Sequence, residues 1–519
     1  MTWRRVKSQN STECARPTKS VSSESQEIFM NSNMKSRKNN IRPQSDYQQL
    51  PLLRLIQMIS VIAIPVALQN LLTTTGSMVD TIMLASLGER TVGAAGLCAQ
   101  YSSLMFSGYW GFVGGGMLFF SQFYGSGEHE NIRKSYGMTI VFMMISGVTF
   151  GALAVFAPMS VMRLYTGSEA IQKIGVRYLQ IVGFAYPLQV LAMAQSALLR
   201  SIGQVKIPLF GAIASVITNF VINFILIFGK FGFPKMGIRG AAVGTVAAAA
   251  VNILVIVVAA RIMHLPYLMD VTHHFRWNRK LLSAYLRKSA PIIANEVMIG
   301  IGNMLINIVL GHQIESAIAA TAVFRTLEGI IIAFFSGFSS AATVLVGTEI
   351  GAGRHEEAFS RAYRLIYLCQ GLTGIAALLL IMIHNPLLHA MGLSGDSYRT
   401  CTVMLYIYSI AAVIRMGNWS MNDTYRAAGD PSFGSMLEII FMFAMVQPAI
   451  HIANSLVHAP FLIVFALCYC DEPIRYIIMQ LHMYSRKWIR PVSIAGLETI
   501  DAFREKYGVQ MNRGSRLRG

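Results

Sequence analysis

Charge is scarce in this chain. Asp, Glu, Lys and Arg make up 13% of its 519 residues, about half of what a soluble domain usually carries. Cysteine is scarce too. The six present (Cys14, Cys98, Cys369, Cys401, Cys468 and Cys470) have no metal-ligand spacing and lie mostly in apolar stretches, so they are expected to be reduced packing residues. No apolar core follows the basic N-terminus, which excludes a cleavable secretion signal. A Walker phosphate loop, an HExxH zinc motif and a nucleophile elbow are all missing, so neither an ATPase nor a familiar membrane hydrolase is supported. No cofactor and no enzymatic activity are expected.

What the chain has instead is apolar sequence, 54% of all residues. It comes in long blocks with no strand period, and a span needs about 20 residues. Twelve such blocks run roughly over 54–86, 92–121, 136–160, 174–199, 207–229, 240–262, 286–311, 317–347, 362–386, 398–424, 432–456 and 459–483. This predicts an all-α integral membrane protein with twelve transmembrane helices.

The blocks repeat. Shifting the chain by 226 positions, the difference between Pro291 and Pro65, brings Gly125-Ser-Gly127-Glu-His129-Glu130 onto Gly351-Ala-Gly353-Arg-His355-Glu356. The same shift carries Arg200 and Gly203 onto Arg426 and Gly429, and Pro234 onto Pro460. Helix-breakers, glycines and charges in one register without a gap mark a duplicated membrane half. Six spans per half return the chain to its starting side, so the two six-helix bundles share an orientation about a pseudo-twofold axis along the membrane normal. The repeated Gly-x-Gly stretches are expected to be tight turns between helices, since no strand precedes them and no Gly-Lys-Ser/Thr follows.

The expected organisation is a disordered basic cytosolic tail over 1–50, an N-terminal bundle over 51–262, a cytosolic linker over 263–285, a C-terminal bundle over 286–485 and a basic cytosolic tail over 486–519. The net charge of +18 gathers on the side of the termini and linker, as the positive-inside rule requires. Anionic lipid of the inner leaflet accounts for it, so no nucleic-acid partner is expected. The chain is expected in the plasma membrane, both termini cytoplasmic, as a monomer.

A charge inside a span costs about 2.5–3.5 kcal/mol, so each one needs a reason. Asp80 stands near the outer end of the first span among Gln69, Thr73, Thr74, Thr75 and Ser77. Asn219 and Asn223 share a face of the fifth span, and Thr245 in the sixth reaches a similar depth. Oxygen groups of this kind suit a small hard cation or a protonated carboxyl, although hydrogen bonding between packed spans explains the asparagines equally well. In the second half Asn295, Glu296 and Arg415 are the candidates, with Glu296–Arg415 and Arg325–Glu328 as possible ion pairs. Asp471, Glu472 and Arg475 are expected to pair with one another.

These stretches together resemble the multidrug and toxic compound extrusion (MATE) family over most of residues 52–490. The matching residues are Pro65, Gln69, Asp80, Leu87-Gly88, Gln122-Phe-Tyr-Gly125, Leu199-Arg200-Ser-Ile-Gly203, Asn219, Asn223, Gly232-Phe-Pro234, Pro291, Asn295-Glu296, Gly347, Gly351 and Arg426-Ala-Ala-Gly429-Asp430. The resemblance implies two six-helix bundles around a cavity that opens alternately to each face. It implies export of small, cationic or amphipathic compounds against H⁺ or Na⁺. It assigns cation coupling to Asp80, Asn219, Asn223 and Thr245, with Na⁺ possible at Asp80. Gln69, Asn295, Glu296 and Arg415 are left for the substrate cavity or a second-bundle site, and Arg415 stands where some members carry an acid. The alternatives are a flippase for lipid-linked precursors, which would want several cationic side chains in the cavity, and a receptor or scaffold that transports nothing.

Overall fold

The computed structural model describes residues 51–311 and 315–509. The tail expected over 1–50 lies outside them. Of residues 1–61, which form one unit, the described part is the opening of helix α1, Leu52–Ala85. Everything from Ile62 onward forms the second unit.

The helices follow the twelve blocks. α1 is succeeded by α2 (Glu89–Ser126), α3 (His129–Phe156), α4 (Glu169–Val182), α5 (Ala185–Ser201), α6 (Lys206–Phe228) and α7 (Ile238–Ile262). In the second half come α8 (Arg279–Gly311), α9 (Glu315–Gly351), α10 (His355–Ala390), α11 (Gly395–Ala427), α12 (Pro431–Phe441), α13 (Glu472–Tyr484) and α14 (Ile494–Lys506). Among the described residues, nine helices are long and apolar enough to cross a membrane, and α4 with α5 makes a tenth as a pair bent by 50°. α2 keeps 17 residues buried, among them Met105, Phe119, Phe120 and Phe123.

The duplication shows in the helix boundaries. α3 and α4 begin at 129 and 169, and α10 and α11 begin at 355 and 395, each 226 later. The turns repeat in detail as well. Gly127 and Gly353 both sit at φ 78, a left-handed conformation that glycine adopts at no steric cost. After each, the next amide reaches back five residues, Glu128 to Phe123 at 2.9 Å and Arg354 to Glu349 at 2.9 Å. This is a helix C-cap of the Schellman type, so the Gly-x-Gly stretches are turns. Gly203 and Gly429 repeat the pattern, with Gln204 donating to Leu199 and Asp430 to Tyr425.

Two blocks are not continuous helices. Pro187 breaks the fourth, because its ring removes a donor and crowds the carbonyl of Gly183 four residues earlier. The bend lets backbones meet, since a Cβ on Gly151 would lie 2.7 Å from the Gly183 carbonyl oxygen. The twelfth block is split into Phe461–Leu467 and α13, with Pro473 in the first turn of α13. Span eleven runs from Pro431 to Leu456 but passes through two π-helical turns, Met442–Val446 and Ile452–Leu456.

The linker is ordered. Asp270 accepts from Arg133 at 2.8 Å and lies 2.7 Å from His273 Nδ1. The His273 hydrogen bond, aided by the nearby Arg133, holds its carboxyl below the usual range. In the 486–519 stretch, expected only as a basic tail, the described residues form α14 with Ser493 as its N-cap. The five described cysteines are free thiols.

Candidate functional site

Asp80 lies five residues before the end of α1 and Asn223 five before the end of α6, each about 7.5 Å along the axis from its helix end. The structure brings them together. Asn223 Nδ2 donates to Asp80 Oδ1 at 2.7 Å and contacts the Asn219 amide oxygen at 3.2 Å. That same Asn219 amide atom is 2.6 Å from Asp80 Oδ1. That spacing is a hydrogen bond in two protonation arrangements. With Asp80 ionised, the Asn219 NH₂ turns to donate to it. With Asp80 protonated, its O–H donates to the Asn219 carbonyl. Two side chains one helical turn apart therefore form a cradle that fits either form of the carboxyl.

α7 closes this cradle. Thr245 bonds its own helix at Ala241 O, 3.1 Å away, and interacts with the Tyr178 phenol of α4. Sequence reasoning missed Tyr178, one of 20 tyrosines, whose neighbours Arg177 and Gln180 gave no reason to single it out. Gly244 makes room for the cradle: a Cβ there would sit 2.0 Å from Asn223 Oδ1. Asn223 is wholly buried, so an added methyl must swing its amide off the carboxylate. Gly244→Ala is expected to leave insertion intact and to weaken ion-coupled efflux as much as Asn223→Ala does. Efflux assays in proteoliposomes check this, and unchanged coupling would show that the contact does not matter.

The second half does not repeat the site. Positions 226 after Asp80, Asn219 and Asn223 hold Ile306, Met445 and Ala449. What stands there is an ion-pair network. The expected Glu296–Arg415 pair does not form. Arg426 takes Glu296 at 3.0 Å, while Arg415 donates to Glu328 at 2.8 Å and lies 3.8 Å from Glu472. Arg325 also pairs with Glu328, at 2.6 Å. Arg475 joins Asp471 and Glu472 as expected, at 3.4 and 2.7 Å. Asn295 donates to Glu438 at 3.0 Å, as does Asn422 at 3.1 Å, and Ser339 donates to Asp423. Gln69 stands apart from Asp80 and accepts from the buried Arg200 at 2.9 Å.

Arg200 and Arg426 were placed outside the spans because blocks four and ten were drawn to end at 199 and 424. The helices run on to Ser201 and Ala427, which brings both guanidiniums inside. Glu438 and Asp423 were visible as single acids in apolar blocks and went unassigned.

The halves meet along α2. A Cβ on Gly125 would lie 2.0 Å from Thr348 O, and one on Gly351 would lie 2.0 Å from Gln122 O. These two contacts are repeat mates of each other. Gly347 faces Ser121 Oγ, 2.2 Å from where its Cβ would be, and those two positions are themselves mates. The pseudo-twofold axis thus passes through this contact, with backbones closer than any side chain allows. Toward the other end of α2, a Cβ on Gly93, Gly96 or Gly108 would meet nothing within 4 Å. The halves are tight at the end bearing the 127 and 353 turns.

The MatE family model matches residues 65–225 and 291–449, two segments that start 226 apart and together cover more than half of the chain. The chain is a member of the MATE transporter family. Relatives include the uncharacterized transporter YisQ of Bacillus subtilis, 24% identical over 79% of this chain and 90% of its own length. Another is the probable multidrug resistance protein YoeA of the same organism, 23% identical over 75% and 85%. Among solved structures, the Vibrio cholerae MATE transporter VcmN superposes with a TM-score of 0.75 at 16% identity, over 83% of this chain and 97% of its own. That likeness shows the MATE fold, twelve helices in two lobes. This member is therefore a multi-pass membrane transporter for small molecules and not an enzyme.

Proposed function

We propose that this transporter is a secondary active antiporter that exports small cationic or amphipathic compounds in exchange for H⁺ or Na⁺, by alternating access. The observation that carries the reading is the Asp80 cradle. A carboxylate held by Asn223 at 2.7 Å, with an Asn219 amide atom at 2.6 Å, accepts a proton, or offers oxygens to a cation, with the turn of that one amide. Occupancy of such a site can bias which face of a two-state transporter is open, and that linkage is what exchange requires. The names of relatives such as YoeA support drug-like substrates. The flippase alternative wants free cations in the spans. Arg325, Arg415, Arg426 and Arg475 are instead bound to carboxylates, while Arg200 and Lys288 donate to neutral oxygens, Gln69 Oε1 and Gly429 O.

The test is efflux of a panel of cationic dyes from proteoliposomes under an imposed Na⁺ or H⁺ gradient. Efflux that follows one gradient supports the reading and names the ion. Absence of gradient-driven flux for every dye would overturn it.

The proposed orientation puts the linker and both termini in the cytoplasm of a plasma-membrane protein, as the basic loops require. Ser283 is exposed at the start of α8. A cysteine placed there should resist an impermeant thiol reagent in intact cells and react after permeabilisation. Labelling from outside would reverse the orientation of every loop.

A further inference from the structure

Residues 487–506 touch both lobes at their closed end. Toward the second lobe the attachment is broad. Arg490 bonds Ala428 O through its amide at 2.9 Å and pairs with Asp430 at 3.0 Å. Ser493 Oγ donates to Gly351 O at 2.8 Å, and Thr499 Oγ1 to Gly353 O at 3.2 Å. Lys506 pairs with Glu356 at 2.5 Å. Trp488, Ile500 and Phe503 are buried in one apolar cluster with Val346, Ile350 and Ala358. Toward the first lobe the attachment is smaller, with Val492 packed at the edge of that lobe's apolar core. Val492 N donates to Gln122 Oε1 and Ile494 N to Glu128 Oε1, each at 2.8 Å.

Among the described residues the duplication has no second such strap. The residues 226 earlier are 261–280, the linker, where His274 O lies 1.8 Å from a Cβ built on Gly137 and Asp270 pairs with Arg133, both within the first half. The tail alone reaches across, and it does so over the glycine contact on the pseudo-twofold axis.

We propose that residues 487–506 are a latch, anchored on the second lobe, whose two bonds to Gln122 and Glu128 hold the lobes shut at this end and break when it opens. The latch deepens the alternating-access reading and rests on it. Several buried side chains on one side, against two amide bonds and the half-buried Val492 on the other, fix where the break falls, since a net hydrogen bond and one partly covered side chain are weak beside several buried aromatic and aliphatic side chains.

One substitution isolates the latch. Ile494 is the first residue of α14, after the Ser493 cap, a position where proline is tolerated and only the N–H is lost. The full chain, with its native cysteines replaced, carries a reporter cysteine at Ser121, which is wholly buried opposite Gly347. Maleimide labelling of that cysteine in proteoliposomes, without any gradient, reads how often this end opens. Ile494→Pro should raise the labelling rate about two- to tenfold, the shift expected from one net hydrogen bond. Ile494→Ala keeps the N–H and should leave the rate unchanged. Glu128→Ala should raise it similarly, and the double variant should add little, because both remove the same bond. If Ile494→Pro does not insert, Glu128→Ala against Ile494→Ala decides alone. An unchanged rate, or effects that simply add, would overturn the latch. Labelling is independent of flux, so failure of the exporter reading would show separately, as absence of gradient-driven efflux for every dye.

Discussion

Asp80→Asn is expected to insert, fold and bind substrate, yet to lose gradient-driven efflux almost entirely. The amide keeps the shape of the carboxyl, and Asn223 still has an oxygen to donate to at about its present 2.7 Å. What disappears is the group that can change its charge. With a neutral side chain at all times, the Asn219 and Asn223 amides face one fixed partner, and neither proton nor cation can bias the lobes. Proteoliposomes given an H⁺ or Na⁺ gradient, with substrate binding measured separately, distinguish lost coupling from lost binding. Asn219→Ala and Asn223→Ala should weaken coupling less, since each removes a neutral ligand and no charge. Glu296→Gln should alter substrate affinity or range more than coupling, because Glu296 belongs to the Arg426 pair. Full efflux by Asp80→Asn would refute the assignment and make Glu296 the next candidate.

The second large effect is expected at the axis. Gly351→Ala places a methyl 2.0 Å from Gln122 O, with Gln122 Cα 2.5 Å away. Both obstacles are backbone, so no rotamer relieves the clash and the lobes must separate at this end. Overpacking of this kind costs about 1–3 kcal/mol. That amounts to about fivefold or more against the closed end. The reporter cysteine at Ser121 should therefore label much faster in Gly351→Ala than in the parent, and Gly125→Ala should act likewise through Thr348 O. Parent-like labelling of both would mean that the close approach does not hold this end shut.

The sequence foretold these features unevenly. Twelve spans and the repeat were legible because apolar length and breaker register survive in a linear string. Gly127 and Gly353, for instance, keep the same φ as well as the same spacing. Asp80 and its two asparagines were legible because a carboxylate in a span is costly and the two amides fall one turn apart on α6. Partner choice was not legible. Arg426 lies 130 residues from Glu296, and Arg415 lies 87 from Glu328. Which guanidinium reaches which acid depends on helix rotation, and apolar blocks do not record it. Tyr178 and Gly244 were invisible for a related reason: one is an ordinary tyrosine, and the other matters by what it leaves empty. The role of residues 487–506 was hidden because a basic, weakly apolar stretch reads the same whether it is free or bonded through its backbone amides.

Ile306, Met445 and Ala449, which replace the Asp80 cradle in the second lobe, set the stoichiometry of the proposed cycle. With H⁺ as the coupling ion, one titratable cradle carries one proton per turnover. Exchange of one proton for one monovalent cation moves no net charge, so the membrane potential, otherwise worth about 2.3 kcal/mol per charge per 100 mV, does no work. Only the pH difference drives export, and each pH unit sustains at most about a tenfold concentration ratio of substrate. A divalent substrate would be opposed by an inside-negative potential, whereas a neutral one would be helped by it. Duplication gave this fold two lobes to rock, and a single carboxylate cradle would tie its pumping limit to acidity alone when H⁺ is the ion and the cargo is singly charged.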